Sequence, residues 1–336
     1  MTTQFFKVTE SSARIAHPNA ARRTSFANSH LEVRMFNVGD GEAILIAFPG
    51  RRAWLVDGGS GIGPKRNQKL GEQLAAHLQQ SNLQLEALVP SHPHIDHVGA
   101  VATLLGAGPP LTNPLAIYRS DDVTWNPTHT WIQDLNTALG NLPAPANVDA
   151  LEQKGHREVP VADGMEAHFF TGSADGAYTS IFLHLHFHQA RLLFTGDAHC
   201  KYEREMLGRL GENDFRADVL KVTHHGSSSG TAQPVVNAVK PGIAIASTAL
   251  DDGHRLEADT LQRLRNNAPQ RSIFETVIDG DIILRTDGQP FSDGVLYQVE
   301  LVAPGLFEAA LGATTLPRAT VDAARTSSPS QACVAA

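Results

Sequence analysis

Four side chains that can bind a metal ion lie within six residues of one another, directly after an apolar run of the sequence. The segment reads SHPHIDH and spans residues 91–97. In an extended loop His92 and His94 point the same way, because side-chain direction alternates along an extended chain. Asp96 and His97 turn toward a second point. Imidazole together with carboxylate suits zinc, and also iron or manganese, so the segment predicts a metal-binding loop after a strand.

Three further segments place a carboxylate or an imidazole at the end of an apolar run. They read WLVDGG at 54–59, LFTGD at 193–197 and LKVTHHGS at 220–227. Each is a weak signal alone, because Asp and His are common at strand ends. Together they bring one kind of chemistry to several carboxyl-side strand ends, where α/β proteins tend to form their sites.

The rest of the chain alternates short apolar runs with helical spacing, which favours an α/β fold. The apolar runs predict strands at 31–36, 43–48, 53–56, 85–90, 166–171, 180–195, 219–223, 243–247, 273–277 and 281–285. Helices are predicted at 66–80, 130–139, 200–211 and 258–266, with a short helix start at 97–105.

The sequence predicts one large domain with a short segment at each end. Residues 1–30 are polar and mixed, and predict an N-terminal arm. Residues 31–317 form the predicted domain. Within it, residues 106–157 are rich in Pro and Asn, which favours a loop-rich insertion that shapes the binding pocket. Residues 318–336 are small and polar, and predict a disordered tail.

The charge balance bears on the class of partner. Lys and Arg total 27 against 35 Asp and Glu, which gives a net charge of −8. Binding that coats nucleic acid by charge alone needs a basic face to displace counterions, so the net charge argues against it. A local basic cleft stays open. We therefore expect a small-molecule or phosphoester substrate, with nucleic acid as an alternative that the charge does not support.

Three features of the sequence bear on location. There is no run of 18 apolar residues, so no membrane segment is expected. The N-terminus has no apolar region of signal-peptide type, which predicts a cytoplasmic protein. Cys200 and Cys333 are the two cysteines, too few for a disulfide framework or a four-cysteine zinc site. As thiols they would fit a reducing compartment.

The motifs together resemble the metallo-β-lactamase-fold hydrolases. The resemblance is carried by HxHxDH at 92–97, TGD at 195–197 and the histidine pair at 224–225. Within that superfamily the chain looks most like the competence-type domain, the soluble metallohydrolase at the C-terminus of DNA-uptake channel proteins. The segment FNVGDGEAILI at 36–46 is similar to the opening strands of that domain, and 220–227 is similar to its LKVxHHGS motif.

The resemblance implies an αββα sandwich of the metallo-β-lactamase type with two divalent metal ions at one edge. Zinc is the first expectation, with manganese or iron as alternatives. The implied ligands are His92, His94, Asp96, His97, Asp197 and His225. His92 and His94 would hold the first ion, and Asp197 would bridge the two. A water molecule between the ions would be the nucleophile, since two divalent cations lower the pKa of water toward ~7.

The resemblance also assigns roles around the ions. His225 is favoured as the ligand because superfamily members often present this histidine directly before Gly or a loop residue, and the opposite assignment to His224 stays open. His224 would then face the substrate, as would His254, and Asp96 is expected to be catalytic as well as a ligand. Asp57 would hydrogen-bond the ligand loop and fix its geometry.

One ligand of the wider superfamily is missing. Many members carry a further histidine between the first motif and TGD, but the corresponding stretch here, TGSADGAYTS at 171–180, has none. The competence-type branch also tends to lack it. The first ion is therefore expected to have fewer protein ligands and to be held more weakly.

These features predict a metal-dependent hydrolase with a water nucleophile, acting on a phosphoester or phosphodiester. Two ions suit in-line displacement at phosphorus because they stabilise both the attacking and the leaving oxygen. An alternative is hydrolysis of a lactone, thioester or β-lactam at the same site. A second alternative is a non-catalytic binding module that retains the fold, although the presence of Asp96, His97 and Asp197 argues against it. The sequence does not predict the oligomeric state.

Other histidines and aromatic residues are weaker candidates for functional roles. His184, His186 and His188 alternate with Leu and Phe, and so share one face of a strand. They predict an exposed or inter-layer face, with a substrate or accessory metal role as the alternative. Trp125, His129 and Trp131 are further candidates for lining the pocket.

Overall fold

Two β-sheets lie face to face, and helices cover the outer side of each. The computed structural model describes residues 1–9, 12–15, 29–121, 125, 127–162, 164–172, 180–250, 255–266, 272–311, 315–325 and 333.

The strands are β1 (Thr2–Thr9), β2 (Ser12–Ile15), β3 (Leu31–Met35), β4 (Ala43–Phe48), β5 (Arg52–Gly58), β6 (Gln84–Val89), β7 (Leu111–Ser120), β8 (Asn147–Leu151), β9 (His156–Ala162), β10 (Met165–Phe170), β11 (Phe182–Phe187), β12 (Ala190–Phe194), β13 (Val219–Lys221), β14 (Ile243–Ala246), β15 (Ile273–Glu275), β16 (Asp281–Thr286), β17 (Pro290–Phe291) and β18 (Gly294–Val302). The helices are α1 (Pro64–Gln80), α2 (Ile95–Val98), α3 (Val101–Gly106), α4 (Thr130–Gly140), α5 (Cys200–Leu210), α6 (Glu212–Phe215), α7 (Gln233–Val239), α8 (Ala258–Arg265), α9 (Thr276–Asp279), α10 (Glu308–Leu311) and α11 (Arg318–Ala324).

The large sheet has the strand order β2-β1-β18-β16-β3-β4-β5-β6-β7-β8, with β17 paired to β18. The small sheet has the order β15-β14-β13-β12-β11-β10-β9. Aromatic side chains from the two inner faces meet in the middle: Trp54 of the large sheet stacks on Phe169 of the small one, with ring centroids 6.0 Å apart. A continuous core of buried apolar residues from both sheets therefore holds the sheets together.

Helices form the two outer layers. In α1, Leu70, Leu74 and Leu78 recur at helical spacing and are buried, and Pro64 suits the first turn because that position needs no backbone donor. With α3 and α4, this helix covers the large sheet through a second apolar core. A third core joins α5, α7 and α8 to the small sheet. The four layers confirm the predicted α/β fold with αββα order.

Parallel strand pairs bring the sequence motifs to one edge of the sandwich. Strands β5 and β6 run parallel in the large sheet, and β12 and β13 run parallel in the small one. Asp57 is the next-to-last residue of β5, and the 91–97 loop follows β6. Asp197 follows β12 and the 224–225 pair follows β13. The carboxyl ends of neighbouring parallel strands lie side by side, so each motif pair is adjacent.

The N-terminal residues differ from the predicted arm. Thr2–Thr9 form a full strand that pairs with β18 from Thr2↔Leu301 to Thr9↔Gly294. Phe6 and Val8 are each 1% exposed, and Phe6 packs edge-to-face on Phe274 of the other sheet at 5.8 Å. The alternation of Phe6 and Val8 is too short to recognise in the sequence, and the adjacent Phe5 interrupts it.

Two more segments differ from the prediction. The stretch 106–157 contains α4 where a helix is expected, but it also supplies β7 and β8, which extend the large sheet. The strands predicted at 273–277 and 281–285 lie in different sheets. Strand β15 joins the small sheet and β16 joins the large one.

The C-terminal residues are tied to the domain at three points. Helix α11 buries Val321, and the Arg325 guanidinium lies 2.5 Å from a Glu275 carboxylate oxygen. Cys333 forms a disulfide with Cys200 at the start of α5. The predicted disordered tail is therefore wrong for 318–325, and the cysteines are not thiols, so they no longer argue for a reducing compartment. None of the described helices combines the length and the apolar character of a membrane span.

We expect Phe6→Ala to lower the free energy of unfolding by about 3–5 kcal/mol, because it opens a cavity between the two sheets. The exposed neighbour Thr3 provides a control: Thr3→Ala should change stability by less than about 0.5 kcal/mol. Denaturant unfolding of both variants measures the difference. Equal stability of the two variants would mean that β1 does not contribute to the core.

Candidate metal centre

The loop after β6 is fixed by contacts with the ends of two neighbouring strands. Ser91 N–H donates to Asp57 Oδ1 at 2.7 Å, and Glu42 N–H donates to the Asp96 carbonyl at 2.9 Å. Asp57 has φ 57°, a left-handed conformation that non-glycine residues rarely adopt. A Cβ on Gly59 would lie 2.4 Å from the Ile95 carbonyl oxygen, so glycine is required where β5 passes under the loop.

Asp57 orients His97. The Asp57 Oδ2 atom accepts a hydrogen bond from His97 Nδ1 at 2.9 Å, and both side chains are fully buried. This bond leaves Nε2 as the ring atom available on the other side. His97 Nε2 lies 3.1 Å from Asp197 Oδ2 and 3.4 Å from Asp96 Oδ2. A carboxylate behind an imidazole in this way fixes the ring orientation of a metal ligand.

Asp197 is placed by a tight turn after β12. Gly196 has φ +51°, and a Cβ there would lie 2.7 Å from both Ser180 Oγ and Ser91 Cβ. The Asp197 N–H donates to Ser180 Oγ at 2.9 Å. The Asp197 Oδ1 atom is buried and accepts no hydrogen bond from the described residues. The carboxylate therefore keeps a coordination site for a cation.

The adjacent histidines after β13 diverge. His224 and His225 have φ 51° and 53°, and two successive left-handed residues send their side chains in different directions. His225 Nδ1 donates to the Ser247 carbonyl at 3.1 Å, which directs Nε2 to within 3.3 Å of Asp197 Oδ2 and 3.6 Å of Asp96 Oδ2. His225 is buried.

His224 occupies the outer part of the same site. Its Nε2 lies 3.9 Å from Asp197 Oδ2, and its side chain is 21% exposed. Its Nδ1 lies 3.0 Å from Ser229 Oγ, and its ring stacks on His199 at 5.3 Å. The structure thus separates the pair into an inner imidazole and an outer one.

Four side chains converge closely enough to share one cation: Asp96, His97, Asp197 and His225. One ligand atom from each lies within 4.8 Å of all the others. The ion-pair distances among them, 3.1 to 3.6 Å, are close to the ~3.3–3.6 Å edge of a tetrahedron with metal–ligand bonds of about 2.0–2.2 Å. Two imidazoles and two carboxylates are a donor set that suits zinc, iron or manganese.

His92 and His94 lie beside this cluster. His92 Nε2 is 3.0 Å from His94 Nδ1, and the ring of His92 is 4.1 Å from that of His97. His92 is buried, and its Nδ1 lies 3.0 Å from Ser91 Oγ. All six residues predicted as ligands thus lie in one contiguous group, with His92 and His94 on one side of it.

The electrostatics of the cluster are those of a cation site. Burial by itself raises the pKa of Asp197, but His97, His225 and His224 hold it well below its usual range. Burial lowers the pKa of His225, but Asp197 and hydrogen bonds to Asp197 and Asp96 raise it to about 9. In both cases the buried carboxylates attract positive charge, which protons supply here and a divalent cation supplies more strongly.

A buried ion pair next to the cluster was not predicted. Lys221 Nζ lies 2.7 Å from Glu42 Oε2 and 3.6 Å from Asp197 Oδ1, and it donates to the Gly196 carbonyl at 2.9 Å. Burial lowers the pKa of Lys221, but Glu42 and Asp197 outweigh burial and raise it, so the ammonium is charged. A lysine inside the apolar run of β13 was the signal that could have revealed this pair.

The three residues of the 106–157 stretch that were predicted to line the pocket make different contacts. Trp131 Nε1 donates to the Pro93 carbonyl at 2.9 Å, so α4 contacts the ligand loop directly. His129 stacks on Trp131 at 4.5 Å, whereas Trp125 donates to Ser120 Oγ. A cleft of about 1080 Å³ is lined by Trp131, Ile95 and residues of α1, α3 and α4. The predicted catalytic residue His254 lies outside the described residues and stays a prediction.

Comparison with known proteins identifies relatives of the chain. Residues 37–249 match the family model described as the metallo-beta-lactamase superfamily. Recombination protein 2 of Haemophilus influenzae is 29% identical over 225 residues, which are 65% of this chain and 24% of that protein. ComE operon protein 3 of Bacillus subtilis is 23% identical over 267 residues, 72% of this chain and 31% of that protein.

The chain spans less than a third of the length of these two curated relatives. Among solved structures, the metallo-beta-lactamase fold protein YhfI from Bacillus subtilis is similar, with 14% identity and a TM-score of 0.48. That match covers 76% of this chain and 99% of YhfI. The names of the curated relatives agree with the predicted competence-type resemblance.

We expect Lys221→Met to lower the free energy of unfolding by about 3–5 kcal/mol, because it leaves the Glu42 carboxylate buried without its partner. The double variant Lys221→Met/Glu42→Gln removes both charges and should recover part of that loss. The exposed Lys69 of α1 provides a control, since Lys69→Met removes a lysine charge at the surface and should change stability by less than about 0.5 kcal/mol. Denaturant unfolding measures all three, and a double variant less stable than Lys221→Met would show that the charges are not coupled.

Proposed function

Because the chain belongs to the metallo-β-lactamase superfamily, we propose that it is a metal-dependent hydrolase that acts on a phosphoester or phosphodiester. The family predicted from the motifs is confirmed by the match over 37–249. The observation that carries the hydrolase proposal is the convergence of Asp96, His97, Asp197 and His225 on one buried point.

The proposed metals are two divalent ions, with zinc first. His92 and His94 would hold one ion, Asp197 would contribute to both, and the remaining ligands of the second ion would be Asp96, His97 and His225. Bound divalent ions supply a hydroxide nucleophile at neutral pH and stabilise the charge that develops on the attacked group. The chain's own groups set the geometry in which this takes place.

Asp57 and Ser247 are positioning residues in this proposal. The Asp57 carboxylate holds His97 through Nδ1, and the Ser247 carbonyl holds His225 through Nδ1. Both imidazoles therefore present Nε2 toward Asp197. The two imidazoles are thus already oriented before substrate binds, which is the basis of electrostatic preorganisation.

His224 is proposed to contact the substrate. It is more exposed than His225, and Ser229 Oγ lies at its Nδ1. Its Nε2 then faces the open side of the cluster, where it can donate a hydrogen bond to an oxygen of the attacked group or to the departing oxygen. Such a contact contributes roughly 10²–10⁴-fold to the rate.

A phosphorus ester is preferred on two grounds. Two divalent ions held in part by Asp197 would suit in-line displacement at phosphorus, because they would stabilise both the attacking and the leaving oxygen. The name of one relative, Recombination protein 2, favours a substrate related to nucleic acid. Lys221 is buried, and both terminal nitrogens of Arg255 donate to backbone carbonyls, so the protein itself holds these two cations.

Metal removal and reconstitution test the hydrolase proposal. We expect the zinc-loaded protein to carry close to two ions per chain, and to hydrolyse a chromogenic phosphodiester or phosphomonoester faster than lactone, thioester and β-lactam substrates. The metal-free protein should be inactive. Elemental analysis beside a substrate panel measures both. Preference for a carboxylic substrate would replace the phosphoester proposal, and metal binding without any turnover would favour a binding module.

The adjacent histidines should fail differently. His225→Ala should lose metal, and its activity should return in part at high metal concentration, because the inner imidazole lies among the carboxylates. His224→Ala should keep its metal and lose rate. Metal content and turnover measured for both variants separate the two roles, and metal loss confined to His224→Ala would reverse the assignment.

A further inference from the structure

A second group of histidines lies on the outer face of the small sheet, across β9, β10 and β11. It consists of Glu166 and His168 on β10, His184 and His186 on β11, and His156 on β9. In the strand register, His168 is opposite His184, and Glu166 is opposite His186. The alternate residues of β11, such as Leu185, belong to the core between the sheets. The histidine face therefore points away from that core.

The imidazoles of this face contact one another in a row. His156 Nε2 lies 3.4 Å from His168 Nδ1. The rings of His168 and His186 are 4.5 Å apart, and His186 Nε2 lies 3.4 Å from His184 Nδ1. Four imidazoles from three strands therefore form one continuous row on this face.

The row is separate from the candidate metal centre. His186 is opposite Arg191 at the start of β12, whereas Asp197 follows the end of that strand. Strand β12 has five residues, which span about 16 Å at ~3.3 Å per residue. None of the residues of the row is a predicted ligand of the candidate centre.

Three members of the row have the spacing of metal ligands. One ligand atom each from Glu166, His168 and His186 lies within 4.8 Å of the other two. Glu166 Oε2 and His168 Nε2 are 3.7 Å apart, which is too long for a hydrogen bond and close to the ~3.3–3.5 Å ligand separation of tetrahedral zinc. His168 Nε2 is buried, and the described residues offer it no hydrogen bond. This ring nitrogen is therefore positioned as a metal-ligand atom.

We propose that Glu166, His168 and His186 bind an accessory divalent transition-metal ion, of the class of zinc, that joins β10 to β11 on the outer face of the small sheet. Two imidazoles and one carboxylate leave one position for water, which is a common three-ligand arrangement for zinc. The ion ties two neighbouring strands together near one edge of the sheet, so its effect is on stability rather than on the hydrolytic site.

The protonation of the row supports this assignment. Burial, with His184 and Arg191 as further causes, lowers the pKa of His186 to about 2, so its imidazole is neutral and need not lose a proton to bind a cation. Among the described residues, Arg191 and Arg209 are cations whose charge acts on the row and opposes the ion. The Arg191 guanidinium donates to the His188 and Ala190 carbonyls.

Zinc binding by variants of the full chain tests the accessory site. We expect His168→Ala/His186→Ala to bind one zinc ion fewer per chain than the wild-type protein, measured by elemental analysis after dialysis against buffered free zinc. Glu166→Gln should bind this ion more weakly and keep the fold, because the Glu166 side chain is 55% exposed. His30→Ala and the exposed Glu152→Gln are matched controls outside the row, and should retain the wild-type zinc content.

Two further readouts separate the accessory site from the hydrolytic one. In the wild-type protein, added zinc should raise Tm in a second saturating phase that is lost in the double variant. The zinc-loaded wild-type protein and the zinc-loaded double variant should hydrolyse substrate with the same kcat/KM. Copper(II) bound at the row should show an electron paramagnetic resonance signal with coupling to two imidazole nitrogens, absent from the double variant. Wild-type zinc content and an unchanged zinc-dependent Tm in the double variant would overturn the proposal.

Discussion

The compensation of buried negative charge at one edge of the sandwich governs the rest of the structure. Glu42, Asp57, Asp96 and Asp197 all lie where the two sheets end, and three of them are almost fully buried. Isolated carboxylates cannot be buried without a large desolvation cost. His97, His225 and Lys221 supply positive charge around them, and a divalent cation suits the same field. The ends of both sheets thus surround a buried negative charge that positive groups must neutralise.

That requirement explains the unusual backbone around the centre. Asp57, His224, His225 and Gly196 have positive φ, and all four lie at the ends of strands that lead into the cluster. Left-handed residues are strained unless the surrounding structure holds them, and such strain concentrates at functional sites. The regular strands supply the rigidity, while the strained turns direct the side chains inward. Loosening these turns would therefore move the side chains of the cluster apart.

The small sheet carries two kinds of histidine on one framework. At the carboxyl ends of β12 and β13, imidazoles face carboxylates inside the fold. On the outer face of β9–β11, they face one another in a row and remain partly accessible. The two groups of histidines differ in what orients them. Buried carboxylates orient the first group, whereas neighbouring side chains on adjacent strands orient the second. Membership of the superfamily explains the first group and leaves the second to be explained by the chemistry of this chain.

The sequence by itself determined the family, the four-layer fold, most strand positions and the group of six ligand candidates, because strand-end motifs of this density leave few other structures. It did not reveal β1, whose alternation of Phe6 and Val8 is short, nor the Cys200–Cys333 disulfide, since two cysteines 133 residues apart carry no pairing signal. The sequence favoured His225 over His224 as the ligand only through the family resemblance, and the tertiary structure shows that the two side chains diverge, because their direction depends on backbone dihedrals. The tertiary structure also decided that Lys221 pairs with Glu42 and that the histidines of three strands meet, since such contacts join residues distant in sequence.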